Sequence, residues 1–580
     1  VIAVTTSSCD MITKDKDKDS SFHEYKEQFI EKLWELEPSW ALSVGYHKYD
    51  TVLQIPNAEL REWKRSQYAM QGMAINYFKP EELNDVNRTD FGLIKDFVES
   101  QKFYHEQFKS YEWNPSNYNV GGSFAKIAGG SYAPLDERLK TFLVRLKNVP
   151  AYYEAARENI VNPTLEHTEL AIIQNNGSLN IFGQSLVDSL EKSGLSDDEK
   201  NMMMERVGAA KTAITDYVSW LENKKAELEN GGGKSFRIGK ELYNGKFHSD
   251  IVSSYTADEI YEVALEHKKE LHSKMFTITA ELWKKYFGDK PMPEDKLLAT
   301  RQMIDVISLK HVHRDSFQTA IEKQIPELVN FINEKDLLTQ DPDKPLVVRR
   351  MPAYQAGIAG ANIQSPGPYD AKANTYYNVS PLSNYTDEEA ESWLREYNHY
   401  ILQILNIHEA IPGHYTQLVY ANKSPSMIKS ILGNGAMIEG WAVYTEKMML
   451  EEGYGNNEPE MWLMYYKWNM RSTCNTILDY SVHVLGMEKE AAMDLLMNEA
   501  FQQKAEAEGK WKRVQRTQVQ LCSYFTGYYE IYKLREDLKE IMGDDFNLKA
   551  FHEEFLSYGS APVKYIRVLM MLKHRDKTPA

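Results

Sequence analysis

Three residues in the stretch NIHEAIPGHYTQ, positions 406 to 417, are of the types that build a hydrolytic metal site: His408, Glu409 and His414. The usual zinc-protease signature is His-Glu-x-x-His, in which two imidazoles share a helix face and the glutamate serves as general base. Here the residue four after His408 is Pro412, which cannot ligate, and the next histidine comes six positions on. On an unbroken helix six residues turn the chain by about 600°, which leaves His414 roughly 120° from the face of His408. Pro412 removes a helix hydrogen bond and Gly413 admits unusual dihedrals, so the helix can break between the histidines. With Pro-Gly looped out, His408 and His414 occupy the places of the two histidines, and Glu409 faces the open side of the metal. The competing reading is a pair of structural histidines at a kinked helix.

A zinc site of this kind needs a third protein ligand and a position left for water. The segment NGAMIEGWAVYTEKMML offers Glu439, 25 positions beyond His414, with Glu446 two turns further on the same face. Glu439 stands among Met437, Ile438, Trp441, Ala442 and Val443. A carboxylate in so apolar a setting wants a partner, and a metal would supply one.

HEAIPGHYTQ and EGWAVYTE, together with EPSWALSVGYHKYD, FRIGKELYNGKF, LDYSVHVLG and FLSYGSAPV, resemble the bacterial domain-of-unknown-function family 885, whose hallmark is HExxPGH followed by EGWA. The likeness covers nearly the whole chain beyond its first 21 residues. That family is distantly similar to the helical zinc peptidases that include angiotensin-converting enzyme, thimet oligopeptidase and carboxypeptidase Taq. The resemblance implies an all-α, two-lobed helical shell around a deep channel. It implies Zn2+ held by His408, His414 and Glu439, Glu409 as base, and a peptide as substrate. In such peptidases a histidine or tyrosine from a later helix stabilises the oxyanion, and His483 in LDYSVHVLG and Tyr524 in QLCSYFTG are the two candidates. The chain has Gln518-Val519 where the family has Pro-Gly before Gln520, although Gln520, Tyr524 and Gly527 keep their spacing. Asp479, one turn before His483, could orient its imidazole. Arg513 and Arg350 are possible anchors for a substrate carboxylate.

The elements that must position these residues are mostly helices. Gly (31) and Pro (21) are sparse in 580 residues, and long stretches carry apolar residues at three- and four-residue spacing. The pattern predicts a helical scaffold over residues 22–340, punctuated at ENGGGKS, with a possible amino cap at Thr256 or Asp258. Residues 341–580 form the catalytic part, probed first by a Gly-, Pro- and Asn-rich stretch to about 385. Two β-prone pieces there, PLVVRRM and TYYNVSP, suggest a small antiparallel ribbon near the active site. Thr386 and Glu389 have the spacing of a capping box, which opens a predicted helix of about two dozen residues ending at His408 and Glu409.

Residues 1–21 read as the tail of a lipoprotein-type signal, VIAVTTSSC, followed by a polar tether. Cys9 would carry the lipid and attach the protein to the bacterial envelope, with Thr6 departing from the usual leucine. Cys474 and Cys522 are too few for a disulfide framework, and whether they pair is open. The formal net charge of −17, spread along the chain, argues against nucleic acid or an anionic membrane surface as partner. Two other functional readings compete with the peptidase. A surface lipoprotein could bind peptides or glycans without cleaving them. A non-haem iron enzyme shares the two-histidine, one-carboxylate set, but needs no base beside its first ligand and, in helical di-iron form, needs two Glu-x-x-His pairs. Only Glu396 with His399 has that spacing.

Overall fold

A computed structural model describes residues 17–341, 343–344, 346–351, 361–370 and 374–575. The chain is predominantly α-helical, and its described β-structure is one three-stranded sheet. Cys9 lies outside the described residues. No helix among them is long and apolar enough to cross a membrane.

The chain forms two compact units. The first comprises the chain up to Val161 with Ala171–Lys224 and Pro425–Leu432; the second holds Asn162–Leu170, Lys225–Ser424 and the chain from Gly433. Helix α1 (Ala257–Phe287) of the second unit packs along the helix Pro459–His483, where His267 Nε2 meets Asn469 Oδ1 at 2.9 Å. The first unit has its own apolar core, with Phe124, Phe142, Tyr153, Phe182, Ile214 and Tyr217 at its centre.

The second unit carries every residue of the expected site. Its sheet has strands β1 (Leu346–Arg350), β2 (Ala361–Gln364) and β3 (Thr375–Val379) in the order β1-β3-β2. The two β-prone pieces, now β1 and β3, pair in parallel and not as an antiparallel ribbon; the antiparallel partner of β3 is β2, whose residues ANIQ the pattern did not single out, so the sheet is mixed. Tyr377 of β3 donates from its hydroxyl to Asn406 Oδ1 at 2.8 Å, which ties the sheet to the helix bearing His408.

That helix is shorter than the sequence suggested. Thr386 caps α2 (Asp387–Glu396) through a complete capping box, with Glu389 N donating to Thr386 Oγ1 and Thr386 N to Glu389 Oε2. The helix stops at Tyr397, and α3 (His399–Glu409) starts afresh because the Asn398 side chain accepts from the amides of Tyr400 and Ile401. Asparagine's short amide competes with the continuing helix for those donors. The expected capping box at Thr256 and Glu259 also forms, at the start of α1.

Around α3 lie α4 (His414–Asn422), α5 (Gly435–Glu451), α6 (Pro459–His483), α7 (Lys504–Thr517) and α8 (Ser523–Met542). Pro459 sits in the first turn of α6, where a missing N–H costs nothing. Residues of α6 are buried on all its faces, which marks it as a central helix of its unit. Helices α5 and α8 cross at Gly440 and Gly527, where a Cβ on either would collide with the backbone of the other.

Candidate metal centre

The break in the motif is the feature that assembles the cluster. Helix α3 ends at Glu409, residues 410–413 form a short turn with a cis Ile411–Pro412 peptide, and α4 begins at His414. The turn folds back so tightly that a Cβ on Gly413 would strike the carbonyl oxygens of Ile407 and His408. Only glycine fits there. Trp441, from the EGWA segment of α5, donates from its indole to the Pro412 carbonyl at 2.9 Å. The two halves of the sequence signature thus brace each other directly.

The consequence is convergence of three ligand atoms. His408 Nε2 lies 3.7 Å and His414 Nε2 3.4 Å from Glu439 Oε2, with the two imidazole rings nearly perpendicular. All three ligand atoms fall within 4.8 Å of one another, and no other group among the described residues has this property. Zinc bonds of about 2.0–2.1 Å in tetrahedral array put ligand atoms about 3.3 Å apart. The spacing and the nitrogen, nitrogen, oxygen donor set therefore fit zinc.

Behind His408 stands Glu446. Its Oε1 accepts from His408 Nδ1 at 2.7 Å and from the Trp468 indole of α6 at 3.0 Å. A histidine whose Nδ1 proton is held in this way presents an unprotonated Nε2 to a cation, with its ring orientation fixed and its basicity raised. Glu446 is completely buried, so this carboxylate would be costly without a positive charge at the cluster. Sequence alone placed Glu446 on the face of Glu439 but assigned it no task, and Trp468 gave no signal.

The electrostatics of the cluster favour positive charge at its histidines. Burial opposes charge on His408, but hydrogen bonds to Glu439 and Glu446 outweigh it and hold the imidazole well above its ordinary 6.5. Burial likewise opposes charge on Glu439, yet His408 and His414 keep it far below the usual carboxylate range. Glu409 is raised, chiefly by burial, with the two histidines pulling the other way. These carboxylates stabilise positive charge at the histidines, the place a cation would take.

The other sequence candidates divide sharply. Tyr524 is at the first turn of α8, one turn before Gly527, which touches the neighbour of Glu439. Its hydroxyl accepts from Arg513 Nη2 at 3.0 Å, and Arg513 also donates to Gln520 Oε1 at 2.6 Å. His483 does not join the cluster. It lies 15 residues beyond Trp468 on α6, about 22 Å along the helix axis. Its Nε2 donates to the Val514 carbonyl at 2.8 Å, and Asp479 accepts from the amides of Val519 and Leu521 instead of orienting it. Those amides belong to the segment where Gln518-Val519 replaces the family's Pro-Gly, and both residues have positive φ. Arg350, on β1, donates to Ser383 Oγ at 3.1 Å. Cys474 and Cys522 are both free and buried, and the Cys522 thiol meets the Tyr243 hydroxyl at 2.9 Å.

The chain belongs to the family described as "Bacterial protein of unknown function (DUF885)", which it matches over residues 38–570. It is 54% identical to a Shewanella oneidensis protein of solved structure described as "a putative lipoprotein of unknown function", over 95% of this chain and 99% of that one, with a TM-score of 0.88. A second solved structure, described as "the putative lipoprotein from Colwellia psychrerythraea", shares the fold at 15% identity, over 97% of this chain and 100% of that one, with a TM-score of 0.78. No curated protein matches the chain.

Proposed function

We propose that the protein is a zinc-dependent peptidase of the helical type, acting on short peptides. The observation that carries this reading is the convergence of His408 Nε2 and His414 Nε2 on Glu439 Oε2, with the acid Glu409 adjoining the first histidine. Zinc bound there would polarise a scissile carbonyl and make water acidic enough to deprotonate near neutral pH. Glu409 takes the proton from the attacking water and delivers it to the leaving amine, a task helped by the rise in its proton affinity on burial. Glu446 and Trp468 keep His408 in one tautomer and one orientation throughout.

Tyr524, held by Arg513, is the remaining candidate for stabilising the oxyanion. Strand β2 is an edge of the sheet and packs against α3, so an extended peptide can pair its backbone there beside the cluster. The envelope location follows the leader sequence, with a lipid on Cys9, and agrees with the descriptions of the two solved relatives.

The test is metal content by mass spectrometry of wild-type and His414→Ala protein, with cleavage of a short-peptide pool on the same samples. About one zinc per chain in the wild type, lost in His414→Ala together with cleavage, is the expected result. Iron in place of zinc, or a zinc-loaded wild type that cleaves nothing, would defeat the reading and favour the iron enzyme or the binding lipoprotein.

A further inference from the structure

We propose that the first unit rests on the lipid bilayer through one end of its helix pair Ala58–Ile75 and Asp85–Phe103, with Met70, Met73 and Tyr77 seated among the lipid headgroups. The choice of a bilayer as occupant rests on the reading of Cys9 as the lipid-bearing residue. The face itself is defined by exposure and by where the first described helix begins.

Single apolar side chains at a protein surface are ordinary, but a group of them on one face marks a contact. Met70 is 45%, Met73 69%, Tyr77 55% and Val86 40% exposed, and all four belong to the turn joining the two helices or to its flanks. Met70 and Met73 are three positions apart, and Asn76 keeps helical dihedrals, so the spacing carries through to Tyr77 on the same side. Tyr77 is the only exposed aromatic side chain among the described residues. The interior of the turn is already filled, because Ile75, Phe78 and Leu83 are buried. A tyrosine beside two flexible methionines suits the boundary between headgroups and acyl chains, where the ring is covered and the hydroxyl stays wet.

The helix Lys18–Leu36 begins against this same turn. Asp19 Oδ1 accepts from Asn84 N at 3.1 Å and from Asn87 Nδ2 at 2.7 Å, and the rings of Phe22 and Phe78 meet edge to face at 5.0 Å. Lys18 Nζ lies 5.5 Å from the centre of the Tyr77 ring. Eight residue steps separate Cys9 from Asp17, and whatever their conformation they span at most about 29 Å. A lipid on Cys9 therefore keeps the Tyr77 end of the helix pair close to the bilayer. The charged groups there are Lys18, Lys79 and Arg88 against Asp17, Asp19, Glu81, Glu82 and Asp85. Glu82 faces Lys18 at 3.8 Å and Lys79 at 3.5 Å, and Asp85 pairs with Arg88 at 2.9 Å. Positive charge is not in excess, so the contact is apolar and needs no anionic lipid, in keeping with the net charge of −17.

The test couples Cys9 of the full-length chain to a maleimide-bearing phospholipid in phosphatidylcholine vesicles, which supplies an anchor whether or not cells add one. Cys474 and Cys522 are buried and stay unlabelled. Photoreactive benzoylphenylalanine replaces one exposed apolar residue at a time: Met73, or Ile173 or Met204 elsewhere in the same unit. Cross-linking to lipid at position 73 should exceed that at 173 and 204 by at least about fivefold, and should not fall as salt is raised. With the photoreactive group at position 70, Met73→Ser combined with Tyr77→Ser should lower lipid cross-linking several-fold and leave Tm nearly unchanged, because both side chains are exposed. Equal cross-linking at the three positions, no loss in the double variant, or cross-links from position 73 to a second copy of the chain in place of lipid would each overturn the proposal. The mass of the amino-terminal fragment of protein taken from bacterial envelopes tests the anchor separately. A lipid on Cys9 without the preference for position 73 leaves the anchor and removes the docking face; the preference with an unmodified Cys9 leaves the docking face and removes the anchor.

Discussion

The second unit contains two buried pairs of histidine and carboxylate that behave in opposite ways. At one, His408 gives its Nδ1 proton to Glu446 and turns Nε2 toward Glu439 and His414. At the other, His483 spends Nε2 on the Val514 carbonyl, and Asp479 spends both oxygens on the amides of Val519 and Leu521. The first pair leaves donor atoms converging on a point. The second uses its donor and acceptors to pin a loop of main chain to α6. Burial dominates at the second pair, where it raises Asp479 to about 7 and lowers His483 to about 4. At the first pair the hydrogen bonds to two glutamates win over burial. Perturbed acidity alone therefore does not mark a reactive site; the direction of the free donor atoms does.

The largest effect expected from this contrast is on turnover. Glu409→Gln should cut hydrolysis by about 10²–10⁴-fold while retaining its zinc, whereas His483→Gln should leave kcat within a factor of about three. Comparable losses in both would mean that the second pair takes part in chemistry after all. A sharper comparison sets one carboxylate against the other. Glu446→Gln should weaken zinc binding by about 10–100-fold, and Asp479→Asn should leave zinc affinity unchanged while lowering Tm. Titration of the zinc-free proteins with a chelator-buffered metal series decides this.

The smallest effect is a dependence of stability on pH. His483 titrates near 4 in the folded chain against an ordinary 6.5, so below 6.5 the unfolded chain gains a proton that the native one refuses. Its contribution is full above pH 6.5 and is lost as pH falls toward 4, a change of about 3 kcal/mol at most. The stability gap between wild type and His483→Gln, both zinc-free, should therefore narrow across that window in denaturant melts. Asp479 has the opposite sign but is present in both proteins. A gap that stays constant from pH 6.5 to 4 would show that His483 is not held neutral.

Much of this was legible beforehand. Helical periodicity, both capping boxes, and the need to break the chain at Pro412-Gly413 are local properties of the sequence, written in residue types a few positions apart. That His408, His414 and Glu439 could meet at one point, with Glu409 beside the first of them, was equally readable, because spacing restricts which side chains can meet one ion. Asn398 was legible in principle, since asparagine between two amphipathic runs is a helix start, but the continuous apolar pattern on either side masked it. What no local pattern could give were contacts made by packing. Trp441 on the Pro412 carbonyl, Trp468 on Glu446 and Arg513 on Tyr524 join residues 29, 22 and 11 positions apart. The sequence offered Asp479 as a partner for His483, but Glu446 emerged as the partner of His408 only once α3 and α5 were placed, because a helix determines which residues share its face and says nothing about which neighbour that face will meet. The sequence determined which atoms could bind a metal; the packing of α3, α5 and α6 decided which of them are left free to do so.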